Sequence, residues 1–224
     1  MNLQNYFEEN KTRLLINSDY PKKMCKYLYD KFQMKKDEKL LDIGCGHGIQ
    51  CNKFANLGLD VFGVDNIASP SFDNFKYCNV DLATNPLPFE NNCFDYVFSK
   101  SVIEHIVDPD CFLNECKRVL KPGGMIIVMT PDWESQMQIF YDDPTHVHPY
   151  TKNSITTILN MSDFEKVESS LFTQLPIVWG NKLIEKVVNL INYVPYIIFK
   201  KFRKFKYVRF AREKMIIGTG FKSE

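Results

Sequence analysis

A short buried-type run, Lys39 to Ile43, empties directly into Gly44-Cys45-Gly46-His47-Gly48, and "IQCNKFANLG" then reads as a helix. No other stretch narrows the fold of this chain as far. Glycines let the backbone turn sharply and let a ligand come close to it, while the new helix offers unpaired N–H groups to an anion. The rhythm repeats downstream: "DVFGVD" (60–65), "KYCNVDL" (76–82), "FDYVFSK" (94–100) and "MIIVMT" (125–130) are β-type runs. Between the last two, Phe112, Leu113, Cys116, Val119 and Leu120 recur at helical spacing, and Lys121-Pro122-Gly123-Gly124 stops that helix. Strand and helix alternating in this way predict an α/β fold, a doubly wound parallel sheet with helices on both faces. Further helices are expected over 19–34 and 151–160, and "DFEKVESSLFTQ" and "MIIGTGFK" read as two final strands.

Composition bounds what such a sheet belongs to. The chain has 224 residues, 45% of them apolar and 25% charged, which fits one soluble globular domain with a real core. A net charge of +1 gives the whole molecule no pull on nucleic acid, but the charge is unevenly placed. Residues 181–224 carry 11 Lys/Arg against 3 Asp/Glu, net +8, so the rest of the chain is net −7. Seven cysteines, with no C-x-x-C pair, point to reduced thiols packed as small hydrophobes and hence to a cytoplasmic setting. The N-terminal stretch lacks the apolar core of a signal peptide, and 183–199 is too short and too interrupted to span a bilayer. Within the single domain, 1–37 reads as an N-terminal helical cap. Residues 176–213 read as an inserted basic and amphipathic lid or docking segment, with Leu183, Val187, Leu190, Ile191 and Val194 marking one helical face.

The glycine spacing is G-x-G-x-G, not the G-x-G-x-x-G of dinucleotide binding, which disfavours an NAD-dependent oxidoreductase. Asp65 ends the second strand 17 residues after Gly48, where an acid can accept both hydroxyls of a ribose. "LLDIGCGHG", "VFGVD", "NVDLATNPLPFENNCFDYVFSKSVIEHI" and "LKPGGMIIVMTP", in that order, resemble class I S-adenosylmethionine-dependent methyltransferases of the small-molecule type. The resemblance covers about residues 38–133. It implies a Rossmann-like seven-stranded sheet in a three-layer sandwich, ending in an antiparallel strand hairpin. It also implies S-adenosyl-L-methionine as cofactor, its methionine end on Asp42, Gly44, Gly46 and Gly48 and its ribose on Asp65 with Asn66 beside it. Asp81 would then meet the adenine amino group, the Leu82 backbone the ring edge, and Ser99 the methionine ammonium.

The acceptor side is read from the histidines. All four, His47, His105, His146 and His148, fall in loops expected at the carboxyl edge of the sheet. His47 lies within the cofactor loop, as a packing or cofactor-contact residue. His105 belongs to "SVIEHI", a motif the family carries across many acceptors. "DPTHVHPYT" resembles the D-P-T-H-V loop of methyltransferases encoded with surface-polysaccharide enzymes. Removing a proton from a hydroxyl acceptor calls for a base, and His146 is the leading candidate, oriented by Asp142 or Asp143, with His148 as a substitute. H-x-H with nearby acids falls short of a metal ligand set, so no metal is expected. The expected activity is O-methylation of a small acceptor, anionic if it is a nucleotide sugar or another capsule or lipopolysaccharide precursor. N-methylation, methylation of a phosphoryl-linked group, and an idle cofactor fold that serves membrane docking are the alternatives. For 181–214, the choices are a lid over an anionic acceptor, a contact with anionic lipid, or a solvated basic face. Nucleic acid is a distant partner without a recognised module.

Overall fold

The computed structural model describes residues 18–67, 70–82 and 85–224; the part of the expected N-terminal cap before residue 18 lies outside them. The apolar runs form β1 (Lys39–Ile43), β2 (Asp60–Asp65), β3 (Lys76–Asn79), β4 (Phe94–Lys100) and β5 (Leu120–Pro131), paired in parallel in the order β3-β2-β1-β4-β5. Two further strands, β6 (Phe164–Phe172) and β7 (Met215–Lys222), complete a seven-stranded sheet. β7 sits between β5 and β6 and runs antiparallel to both.

Period-two alternation sends the side chains of each strand to two cores. From β1, Leu41 and Ile43 join Val97, Ile126 and Val128 on one face, while Leu40 joins Phe98, Ile127 and Met129 on the other. The first face is closed by α3 (Pro109–Val119) and α5 (Lys152–Met161), through Phe112, Leu113, Cys116, Ile155 and Leu159. The second is closed by α1 (Asp19–Lys31) and α2 (Ile49–Ala55), through Met24, Cys25, Leu28, Cys51 and Phe54. The described half of the expected cap is therefore part of one helical layer of the sandwich. Helix starts follow local chemistry. Ser18 caps α1, Asp108 caps α3 with Pro109 at its first turn, and Thr151 and Ser154 form a reciprocal capping box on α5. One more short helix, α4 (Trp133–Gln136), is capped by Asp132.

The sequence expectations need adjusting in two places. β3 was expected to reach residue 82 but ends at Asn79. The Val80 N–H makes one more bond to the Asp65 carbonyl (2.9 Å), and the chain then leaves the sheet. The Lys-Pro-Gly-Gly stop does end α3, yet the backbone already pairs with β4 at Leu120, with a register shift opposite Phe94 and Tyr96. The two last strands pair directly, and the inserted segment expected at 176–213 connects them, over residues 173–214. That connection holds α6 (Lys182–Asn189), α7 (Tyr196–Phe202) and α8 (Lys206–Arg212), with 3₁₀ turns at Pro176–Val178 and Leu190–Tyr193. The helical face marked by Leu183, Val187, Leu190, Ile191 and Val194 divides in the structure. Leu183, Val187 and Leu190 are exposed, and Ile184, Val188 and Ile191 pack on Leu175, Val178 and Ala211. Apolar residues occupy both stripes of this helix, so periodicity alone could not say which one turns inward.

Candidate active site

The carboxyl ends of β1, β2, β4 and β5 share one edge of the sheet, and each contributes to the site from the loop that follows it. After β1 the chain turns through Gly44, Gly46 and Gly48, all at positive φ. A side chain on Gly44 would collide with Val102, whereas a Cβ on Gly46 would meet nothing within 4 Å. The loop is thus packed from behind and open in front, the shape a backbone needs to receive a ligand. Asp65, at the tip of β2, accepts hydrogen bonds from the N–H of Gly46 (2.7 Å) and of Asn66 (2.8 Å). These bonds fix the carboxylate against the loop and leave lone pairs for two ribose hydroxyls.

Two buried groups behind the loop complete this half. Burial pushes the Asp42 carboxyl up to about 7, the Asp65 charge adding to the rise while the Cys51 thiol, bonded to its Oδ2 at 3.3 Å, and Lys100 pull it down. The hydroxyl of Ser99, on β4, is buried with no hydrogen-bond partner. A cofactor that brings an ammonium and two hydroxyls suits this donor and acceptor set. Asp81 and Leu82 follow β3. Leu82 lines a cavity of about 550 Å³ that reaches His105, with Leu87, Val107 and Phe112 among its walls. The predicted adenine edge and the predicted acceptor side thus share one space.

On the expected acceptor side three residues cluster. Glu104 is fully buried in the 3₁₀ turn after β4, where its Oε2 accepts from the Thr130 hydroxyl at 2.9 Å and its Oε1 has no partner. Burial raises its pKa, opposed by hydrogen bonds from the backbone and Thr130 and by the two neighbouring imidazoles. His105 and His146 have ring centroids 4.7 Å apart. Together the three offer ligand-type atoms within 4.8 Å of one another. The expectation of no metal counted only the histidines and acids of the 141–150 loop; Glu104, delivered by another loop, supplies a third group of a kind that metals use.

The expected orientation of His146 changes in its details. Its Nδ1 lies 2.6 Å from the Phe140 carbonyl, so that nitrogen carries the hydrogen and Nε2 holds a lone pair. Asp143 Oδ2 is 3.9 Å from Nε2, within ion-pair range once the ring is protonated but too long for a hydrogen bond. The carbonyl orients the ring because the chain folds back through the 3₁₀ turn Phe140–Asp142, with the Phe140 ring tilted against the imidazole at a centroid distance of 4.4 Å. Burial works against the Asp143 charge, but the Thr145 hydroxyl and N–H and both imidazoles hold its carboxyl below the usual value. The Thr145 hydroxyl donates to Asp143, so His105 Nδ1, 2.9 Å from that hydroxyl oxygen and 3.2 Å from the Thr145 carbonyl, donates in turn. Asp142 is exposed on the turn. His148 points its Nε2 toward the Val107 carbonyl (3.2 Å), outside the cluster, and its backbone N–H instead bonds the Glu104 carbonyl (3.1 Å).

Several residues of this edge were not singled out from sequence. Glu104 stood in the E-H pair without a role, and Asp132 and Tyr150 were not considered. Each has a buried side-chain oxygen without a partner. A carboxylate inside the apolar run "SVIEHI" was the available signal for Glu104. Ser99, Glu104, Asp132 and Tyr150 make four of the five such residues among those described, and all four lie at this edge. Unpaired buried polar atoms gathered in one place are groups that a bound ligand or ordered water would satisfy.

Comparison with known proteins agrees with this geometry. Residues 41–128 match the model of a methyltransferase domain family. The ubiquinone biosynthesis O-methyltransferase of Bradyrhizobium sp. (strain ORS 278) is 36% identical over 110 residues, 43% of this chain and 42% of that protein. That of Rhodopseudomonas palustris (strain HaA2) is 34% identical over the same shares. The chain therefore spans less than half the length of the curated relatives it matches. Among solved structures, a SAM-dependent methyltransferase from Archaeoglobus fulgidus superimposes with TM-score 0.64 at 23% identity, covering 99% of this chain and 100% of that one. Phosphoethanolamine N-methyltransferase 2 of Haemonchus contortus, in complex with S-adenosyl-L-methionine, gives TM-score 0.63 at 22% identity over 88% of this chain and 51% of that one. At these identities the solved structures establish the fold. With the matched domain over residues 41–128 and the glycine loop and Asp65 at its edge, the chain is similar in sequence over that stretch, and in fold throughout, to S-adenosylmethionine-dependent methyltransferases.

Proposed function

We propose that this protein O-methylates a hydroxyl of a small acceptor, with His146 taking up the proton. The observation that carries the reading is the convergence of Glu104, His105 and His146 beside the cavity that leads to Leu82. The cofactor supplies a methyl group on a positively charged sulfur. In the transfer the S–CH₃ bond breaks with its electron pair going to sulfur, the O–CH₃ bond forms, and the hydroxyl proton passes to His146 Nε2. The Phe140 carbonyl keeps that nitrogen's lone pair available, and Asp143 steadies the charge the ring acquires. In-line displacement depends mainly on holding the acceptor oxygen against the methyl, and the base adds to that.

For the acceptor, the D-P-T-H-V loop favours a nucleotide sugar or another capsule or lipopolysaccharide precursor. The ubiquinone O-methyltransferases support the hydroxyl chemistry, and a hydroxyl on the route to ubiquinone is the second reading. Turnover of both acceptor classes with labelled cofactor distinguishes the two. His146→Asn is expected to keep cofactor affinity by calorimetry and to slow turnover by roughly 10²–10⁴, the usual worth of a general base. Unchanged turnover would remove His146 from the mechanism. Activity lost to a chelator and restored by a divalent ion would turn Glu104, His105 and His146 into a ligand set.

A further inference from the structure

The segment between β6 and β7 has more apolar surface than its own packing uses. Among the described residues, ten of the sixteen large apolar side chains that are exposed fall between Ile177 and Tyr207. Leu183 is 74% exposed, Ile197 76% and Tyr193 86%, although neighbouring Ile184, Val188 and Ile191 already fill the small core under the segment. The outer side chains therefore do nothing for the fold, and apolar patches of this extent on a soluble protein mark a contact surface.

The charges of the segment divide in the same way. Arg203 and Arg209 face Glu213, and Arg212 bonds the Val194 carbonyl and lies over the Tyr196 and Phe199 rings. Lys200, Lys201, Lys204 and Lys206 are exposed and make no ion pair among the described residues. We propose that 182–212 docks this protein on the surface of an anionic lipid bilayer, aliphatic and aromatic side chains entering the headgroup boundary and the four lysines meeting lipid phosphates. Segments that mix exposed apolar residues with free lysines bind such surfaces by both terms together. The net −7 of residues 1–180 is repelled by the same surface, so the segregation of charge allows one docking orientation. Nucleic acid would satisfy the lysines but leave Leu183, Leu190 and Ile197 in water. No helix among the described residues is long and apolar enough to cross a membrane, so the contact is peripheral.

The segment leaves the sheet at Phe172 and returns at Met215, and Met215 pairs with Pro131 at the carboxyl end of β5. Docking through it would bring the edge that carries His105 and His146 toward the headgroups. The inference stands without the proposed acceptor and is tested without turnover. Full-length protein is sedimented with phosphatidylcholine vesicles and with vesicles of phosphatidylcholine and phosphatidylglycerol, at low and high salt. It is expected to pellet with the anionic vesicles only and to be released by salt. A variant with Lys200, Lys201, Lys204 and Lys206 changed to Gln should partition at least roughly a hundredfold less. Leu183→Ser with Tyr193→Ser and Ile197→Ser should weaken binding at every salt concentration. Circular dichroism melts like those of the wild type are expected for both variants, since the altered side chains are exposed. Wild-type protein that stays in the supernatant, or that binds neutral vesicles equally well, overturns the proposal. So does a lysine variant that binds like the wild type, loses only RNA binding, or turns a wild-type dimer into a monomer.

Discussion

Asp65 shows how much one residue can be asked to do. Its carboxylate ties the tip of β2 to the Gly46 N–H and is still left with lone pairs for a ribose. Asp65→Ala should weaken S-adenosylmethionine binding by about 1–3 kcal/mol, the cost of losing hydrogen bonds to a charged group. Isothermal calorimetry on a variant with a native circular dichroism spectrum checks this, and unchanged affinity would place the ribose elsewhere. Sequence spacing made this residue legible because its role is local to one β-α-β unit. The residues around His146 were harder to read. The orienting group is the Phe140 carbonyl, and a backbone atom has no signature in sequence. The third member of the cluster, Glu104, comes from a loop some forty residues away in sequence.

At the scale of elements, α6 gives a direct test of which stripe belongs to the protein's own core. Ile184 packs over Leu175, Val178 and Ala211, whereas Leu183 beside it is 74% exposed. Ile184→Ala should destabilise by about 1–2 kcal/mol, less than a fully buried position because the site is only partly covered. Leu183→Ala should stay within about 0.5 kcal/mol, as exposed substitutions do. Urea unfolding of the two variants measures both, and equal effects would mean that Leu183 is covered in the folded protein. The strands were legible from sequence to within a few residues wherever both faces are buried, because continuous apolar runs have few other uses. The last helices were not, because the apolar arc of α6 is wide enough to offer two stripes and the basic residues after it satisfy several readings at once.

For the whole molecule, the buried carboxyl of Asp42 couples folding to pH. Its folded pKa of about 7 lies above the ordinary unfolded value near ~3.9. The proton is thus held more tightly by the native state. The stability this adds is fully present below the unfolded value and is lost as pH rises through about 7. Glu104, raised by burial in the same direction, acts with the same sign. Asp42→Asn removes the Asp42 contribution. The unfolding free energy of the wild type relative to this variant should therefore fall on the order of 1–3 kcal/mol between roughly pH 4 and pH 7. Paired denaturant titrations along that range read the difference directly, and a difference that does not change with pH would contradict it.

The sequence by itself determined the α/β class, the succession of parallel-type strands along the chain, the glycine loop and the acid at the end of β2. Each of these depends on interactions within one strand–turn–helix unit, and chain spacing encodes such units directly. It also marked the 141–150 loop as polar and offered His146 in it as a candidate base. The tertiary structure decided what that loop meets: His146 beside His105, the empty oxygen of Glu104 next to both, and His148 turned toward Val107 instead. It decided as well which stripe of α6 is left outside. These outcomes depend on loops brought together by sheet order and on competition between two apolar faces, and neither leaves a periodic trace along the chain.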